Sequence, residues 1–173
     1  ANAIMRYGDD LKNAVQLVVA NGTDISTLSF ENGAITGYAN ASAAAKNKIF
    51  DTAGGGLSYL APQDAWLDDT WSAKTLYGQW HFPENVCVAS VGRGTTTCSS
   101  DSIDNEDIVV ILPYVQEAVC LMIDRRLAIP LCSAAPCAAT GDIWPNGNGK
   151  FTGSLTDGVM IRSTGGEMDG KTE

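Results

Sequence analysis

Residues 2–20 alternate apolar and polar positions with the period of a helix. Ile4, Tyr7, Leu11, Val15 and Val18 fall on one stripe, with Ala3 and Ala14 beside it; Asn2, Arg6, Asp10, Asn13 and Gln16 take the other face. The spacing predicts an amphipathic helix stopped at Asn21-Gly22, where both residues tolerate a left-handed backbone. Beyond it the pattern changes. Ile25, Leu28 and Phe30 lead into the turn signal Glu31-Asn32-Gly33 and then residues 34–38, which reads as a hairpin. Lys48-Ile49-Phe50, the run Asp51-Thr52-Ala53-Gly54-Gly55-Gly56 and residues 57–60 read as strand, glycine loop, strand. Residues 61–74 form a surface loop with two tryptophans. In residues 76–82, Leu76, Gly78, Trp80 and Phe82 alternate with Tyr77, Gln79 and His81, as in a half-buried strand.

Val86, Val88 and Val91 suggest one more strand before the Gly/Thr/Ser-rich stretch 92–102. A second helix is expected from Asp104 to about Leu127. Asp104 is its cap, and Ile108, Ile111, Val115, Val119 and Met122 form its stripe. Pro113 either kinks this helix or sits in the first turn of a later start, and Pro130 stops it. Residues 131–149 read as irregular. Residues 151–162 read as a hairpin turning at Thr156-Asp157-Gly158. Neither repeat nor linker interrupts the pattern, so residues 1–173 are expected to form one domain. Helix, meandering strands, helix and hairpin predict an α+β fold, with the long N-terminal helix packed on an antiparallel sheet.

Composition narrows the function. The chain has 173 residues, 45 % of them hydrophobic, enough for a real core. Eleven basic against twenty acidic residues give a net charge of −9, which argues against nucleic acid and anionic membranes as partners. No apolar run reaches the roughly 20 residues of a bilayer span. Residues 1–20 do not have the shape of a signal peptide, because Asp9, Asp10 and Lys12 interrupt them. An opening on Ala1 and a close on GGEMDGKTE read as processed or cut ends.

Five cysteines stand at 87, 98, 120, 132 and 137, without a CxxC pair. Disulfides in an oxidising compartment fit this set better than zinc, for which a single histidine leaves too few ligands. Cys87 and Cys98 flank one loop, and Cys132 and Cys137 flank another. Cys120 is then the odd one, unless it pairs with Cys132 or Cys137. Five buried thiols are the plainer alternative.

Catalytic signals are sparse. The Gly54–Gly56 run lacks GK[ST] and a following helix, so it reads as a tight turn needing positive φ. His81, between Trp80 and Phe82 and without a G-x-S-x-G elsewhere, reads as a half-exposed strand residue. Asp64, Asp68 and Asp69 form one acidic loop; Asp101, Asp104, Glu106 and Asp107 form another. Neither matches an EF-hand, so calcium stands as a candidate beside a plainly solvated surface. Nothing in their spacing selects a carboxylate pair for glycoside hydrolysis. Of Trp66, Trp71, Trp80 and Trp144, the loop pair Trp66 and Trp71 is the candidate platform for a glycan or peptide, with core packing as the alternative.

Several segments, taken in order, resemble a known group. RYGDDLKNAVQ is followed by DISTLSFEN, KIFDTAGGGLSYLAP, YGQWHF and EAVCLMIDRRLAIP. Together they look like the bacterial pilin-like (prepilin-type) proteins of the type IV filament class, over roughly residues 4–130. The resemblance implies a pilin-like fold in which residues 1–22 are the domain-bound half of a longer helix. The apolar first half, absent from this sequence, would anchor the chain in the inner membrane and then form the filament core. It implies a structural subunit, major or minor, of an extracellular or periplasmic pilus or pseudopilus. Its partners would be like or unlike pilin-type subunits, packed through the helix bearing Ile4, Tyr7, Leu11, Val15 and Val18. The group has no catalytic residue in its globular domain, so no enzyme and no cofactor is expected. Some relatives bind calcium in a C-terminal loop, but no motif here matches that loop. A final strand with a further cysteine, usual in the group, has no counterpart before the closing KTE. The alternative is a secreted glycan- or peptide-binding module using Trp66 and Trp71.

Overall fold

The computed structural model describes residues 1–74, 76–83, 86–88, 107–128 and 161–163. Helix α1 spans Asn2–Ala20, as its periodicity predicts, and buries Ile4, Tyr7, Leu11, Ala14 and Val18. Its end is set by Gly22 at φ +87°. The Thr23 N–H reaches back to the Val18 carbonyl at 3.3 Å, and the Gly22 N–H to Val19 at 2.9 Å. This is the Schellman arrangement, which satisfies carbonyls a helix otherwise leaves open.

The chain after α1 wraps its apolar face as coil and short 3-10 turns rather than as the expected strands. Residues 25–27 form a 3-10 turn capped by the Asp24 carboxylate, which accepts from the Ser26 N–H. The hairpin expected over 25–38 does not form, because the Asn32 side chain accepts from the N–H groups of Ala34 and Ile35 and curls the chain there. Leu28, Phe30, Ile35 and Tyr38 nevertheless turn inward and are buried. Ladder pairing in this part is confined to a bridge between Ser29 and Lys48. Residues 57–60 are also coil, and Tyr7 clamps them: its Oη accepts from the Leu60 N–H at 2.9 Å and donates to the Ser58 carbonyl at 3.3 Å.

The glycine run differs from expectation too. Only Gly56 has a positive φ, +67°. Gly54 and Gly55 are there for space: a Cβ on Gly55 would stand 2.5 Å from the Ile49 carbonyl oxygen and 3.1 Å from Ala14 Cβ on α1.

Residues 76–79 turn, with Gly78 at φ +77°, in place of the first half of the expected strand. Just after the turn His81 pairs with Ile111, each N–H donating to the other's carbonyl at 2.8 Å. The second helix is shorter than predicted: α2 spans Glu117–Arg126. Pro113 offers no N–H, and Tyr114 takes φ 56°, so the helical path is closed to the preceding residues. Ile108, Ile111 and Val115 therefore leave the expected helical stripe. They lie on extended chain that bridges to His81 and Leu67 and packs on the core. Arg126, at the end of α2, hydrogen-bonds Asn2 at the start of α1. Strand β1, Val86–Val88, pairs in parallel with β2, Ile161–Ser163. The antiparallel sheet expected from the meander pattern is represented among the described residues by bridges alone, 67 with 115 and 81 with 111. The rest of the 151–162 hairpin, and the start of the predicted second helix at Asp104, lie outside the described residues.

Aromatic rings fill the centre. Phe82 stacks on Phe30 at 4.4 Å and meets Tyr38 edge-on at 5.5 Å. Burial pushes the Tyr7 and Tyr38 phenols up to about 12, against a smaller opposing pull from the backbone N–H groups each accepts. Their folded-state values lie above the ordinary value of 10, so the stability they contribute is complete below it and is lost as pH rises toward 12. An ultraviolet phenolate titration is expected to show Tyr7 and Tyr38 ionising later than an ordinary phenol, together with loss of the fold. Ionisation of Tyr7 and Tyr38 at the ordinary value, with the fold intact by circular dichroism, would contradict this packing.

Candidate functional site

The loop with two tryptophans is ordered by local caps and by a long-range backbone bridge between Leu67 and Val115. Residues 64–66 and 69–71 form 3-10 turns, the second capped by Asp68, whose carboxylate accepts from the Thr70 N–H at 3.1 Å and its hydroxyl at 2.7 Å. These bonds, the hydroxyl's first, hold the Asp68 carboxyl below the usual carboxylate range. Residues 114–116 run alongside. The Asp68 N–H donates to the Tyr114 carbonyl, the Gln116 N–H to Trp66, and the Gln116 side-chain amide to Leu67, all at 2.8–2.9 Å.

This pairing separates the two tryptophans. Trp66 is 6 % exposed and belongs to the core, so it is corrected from a ligand-loop residue to a packing residue. Trp71 is 46 % exposed and stacks on Tyr114 at 6.0 Å and 24°. Tyr77 completes the row, 6.3 Å from Tyr114. Beside them opens a cleft of about 430 Å³ walled by Asp64, Asp68, Asp69, Leu67, Tyr77 and Gln116. The Tyr77 hydroxyl is pushed up, first by the protein crowding it and then by Asp64, Asp69 and Asp68. Tyr77, Tyr114 and Gln116 were not singled out by the sequence. Tyr114 sits inside a falsely helical pattern, and the one signal pointing to it is the preceding Pro113.

The other candidates fall elsewhere. His81 is 4 % exposed, not half-exposed, with Nδ1 3.2 Å from Tyr38 Oη. It sits among rings because its backbone pairs with Ile111. Trp80 is buried, its indole N–H donating to the Leu60 carbonyl at 2.9 Å. Ile4, Tyr7, Leu11 and Val18 are buried and Val15 packs on the same core, so this stripe faces the domain and not other subunits. The outer side of α1 carries Arg6, Asp9, Lys12, Asn13 and Gln16, all exposed.

Cys87 lies in β1, and Cys98, Cys132 and Cys137 lie outside the described residues, as do Asp101, Asp104, Glu106 and Trp144. Cys120 is exposed on α2. Among the described residues no three His, Cys, Asp or Glu side chains converge as a metal site needs, and no helix is long and apolar enough to cross a membrane. Comparison with known proteins returns no matching family model, no matching curated protein and no matching solved structure.

Proposed function

We propose that this chain is the globular domain, of α+β type, of a pilin-like structural subunit, acting by assembly into an extracellular or periplasmic filament and not by turnover. The observation that carries the reading is the division of α1. One face is fixed in the core from Ile4 to Val18, and the opposite face is exposed along the whole 19-residue rod. At 1.5 Å per residue the rod is about 30 Å long. A helix held in this way serves as a handle: lengthened beyond Ala1 it would carry the domain, and its outer face would meet neighbouring subunits. Arg6 and Lys12 alternate there with Asp9 and Asp10, so neighbours in register can match opposite charges. Many weak repeated contacts then hold the assembly by avidity. The ordered segments quoted above support the same reading.

The test is immunogold electron microscopy of filaments sheared from cells of the source organism, using antibody to this domain. Labelling along filaments is expected, and its disruption by the outer-face pair Arg6→Glu and Lys12→Glu. A chain confined to the soluble fraction, with filaments unlabelled, would overturn the proposal. The alternative of a secreted binding module retains Trp71 as its one exposed tryptophan among the described residues.

A further inference from the structure

We propose that Asn32 is a site of self-modification: the Asn32–Gly33 pair closes to a cyclic imide and reopens as aspartate or isoaspartate, with loss of ammonia. This goes beyond the filament reading and does not depend on it. Asn32 Oδ1 accepts from the Ala34 N–H at 3.0 Å and from the Ile35 N–H at 2.9 Å, while Nδ2 donates to the Phe30 carbonyl at 3.1 Å. Two N–H donors at one end and a carbonyl at the other fix which end of the amide is oxygen. The side chain is therefore held in one pose, with its carbonyl polarised. Gly33 follows it, exposed, and its N–H donates to no backbone carbonyl among the described residues.

The reaction uses these parts directly. Solvent hydroxide takes the Gly33 N–H proton, and the nitrogen adds to Asn32 Cγ. Negative charge then develops on Oδ1, where two backbone N–H groups already point. Fixed donors aimed at a charge that forms only during reaction lower its barrier, as in an oxyanion hole. The Gly33 N–Cγ bond forms, the Cγ–Nδ2 bond breaks, and Nδ2 leaves as ammonia with a proton from water. Water then opens the imide at either carbonyl: opening at Cγ gives aspartate, and opening at the main-chain carbonyl gives isoaspartate. One water enters and one ammonia leaves. The other described Asn-Gly pair lacks the arrangement. Its Gly22 N–H is held by the Val19 carbonyl at 2.9 Å, and among the described residues no N–H donates to the Asn21 side chain. Asn32 also stands where the change is felt, between buried Phe30 and Ile35. Aspartate loses the donor to Phe30, and isoaspartate adds a methylene to the main chain between two core residues.

The experiment incubates the intact domain at mildly alkaline pH and follows Asn32 and Asn21 by peptide mass and by enzymatic methylation of isoaspartate. A blocked peptide of residues 29–36, the same sequence without the fold, is incubated beside it. Asn32 is expected to convert about tenfold faster in the domain than in the peptide, below the roughly hundredfold of an oxyanion donor in a closed site. It is also expected to convert faster than Asn21 in the same domain. Gly33→Ala is expected to slow conversion several-fold, because a side chain beside the attacking nitrogen crowds ring closure. The variant keeps the fold, since a Cβ there meets nothing within 4 Å. Aged domain is expected to unfold at lower urea concentration than fresh domain. Asn32 converting no faster in the domain than in the peptide, or more slowly than Asn21, would overturn the proposal.

Discussion

Phe82→Ala is expected to be the most damaging single truncation in the described core, lowering unfolding free energy by about 4 kcal/mol. The ring is fully buried, stacked on Phe30 at 4.4 Å and 13°, and met edge-on by Tyr38 and Phe50 at 5.5 and 5.9 Å. Among the described residues these neighbours come from segments joined by single bridges, Ser29 with Lys48 and His81 with Ile111, rather than by an extended ladder, so ring contacts carry much of the tertiary fixing. Removing the ring leaves a cavity among side chains that cannot collapse together. It also loosens the backbone whose N–H donates to Tyr38 Oη at 2.8 Å. Against a total stability of about 5–15 kcal/mol, such a loss leaves a marginal domain. Urea unfolding measures it, with Phe82→Leu as the control that keeps most of the volume and costs about 1.5 kcal/mol or less. A loss below about 1 kcal/mol for the alanine variant would mean that Phe82 is not where the core is tightest.

The glycine run carries the second large effect, and its order within the run is the sharper test. Gly54→Ala drives a methyl group into the Lys48 carbonyl oxygen, with the Ala45 and Lys46 oxygens behind it at 2.9 and 3.1 Å. Gly55→Ala meets the Ile49 oxygen at 2.5 Å and Ala14 of α1 at 3.1 Å. All but the last are backbone atoms, which cannot swing aside as a side-chain tip would. Each substitution is expected to cost about 3 kcal/mol. Gly56→Ala meets nothing within 4 Å and suffers from its φ of +67° alone, a cost of about 1 kcal/mol. Thermal and urea unfolding should show Gly54→Ala and Gly55→Ala both well below Gly56→Ala in stability. Gly56→Ala as the worst of the three would return the run to the simple positive-φ turn that the sequence suggests.

What the sequence could and could not reveal follows from the range of the forces involved. The helix 2–20 was legible because its stripe is local and long, and because Gly22 ends it by backbone geometry alone. Asx turns at Asp24, Asn40 and Asp68 are local as well, each with Ser or Thr two residues on, a pattern that a single stretch of sequence carries. The strands were misread because Leu28, Phe30 and Ile49 are buried against α1 without needing a ladder. Alternation records which side of a segment is buried, not whether it pairs. The second helix was overextended because Ile108, Ile111 and Val115 fall by chance on a helical spacing, while Pro113 and Tyr114 forbid that path. The fate of the two tryptophans was not readable at all. Trp66 goes in and Trp71 stays out because residues 114–116 lie alongside them, a contact between segments 49 positions apart for Gln116 and Leu67.

The central claim is that α1 is the domain-bound half of a longer helix that builds a filament. The most direct measurement is the N-terminus of the native protein, recovered from the cell envelope and read by intact mass and peptide sequencing. The account predicts an apolar stretch of roughly 20 residues or more ahead of Ala1, long enough to cross a bilayer before assembly. A native chain that begins at or near Ala1 and stays soluble and monomeric would contradict it, and the exposed Trp71 would then be the first place to look for what this protein does.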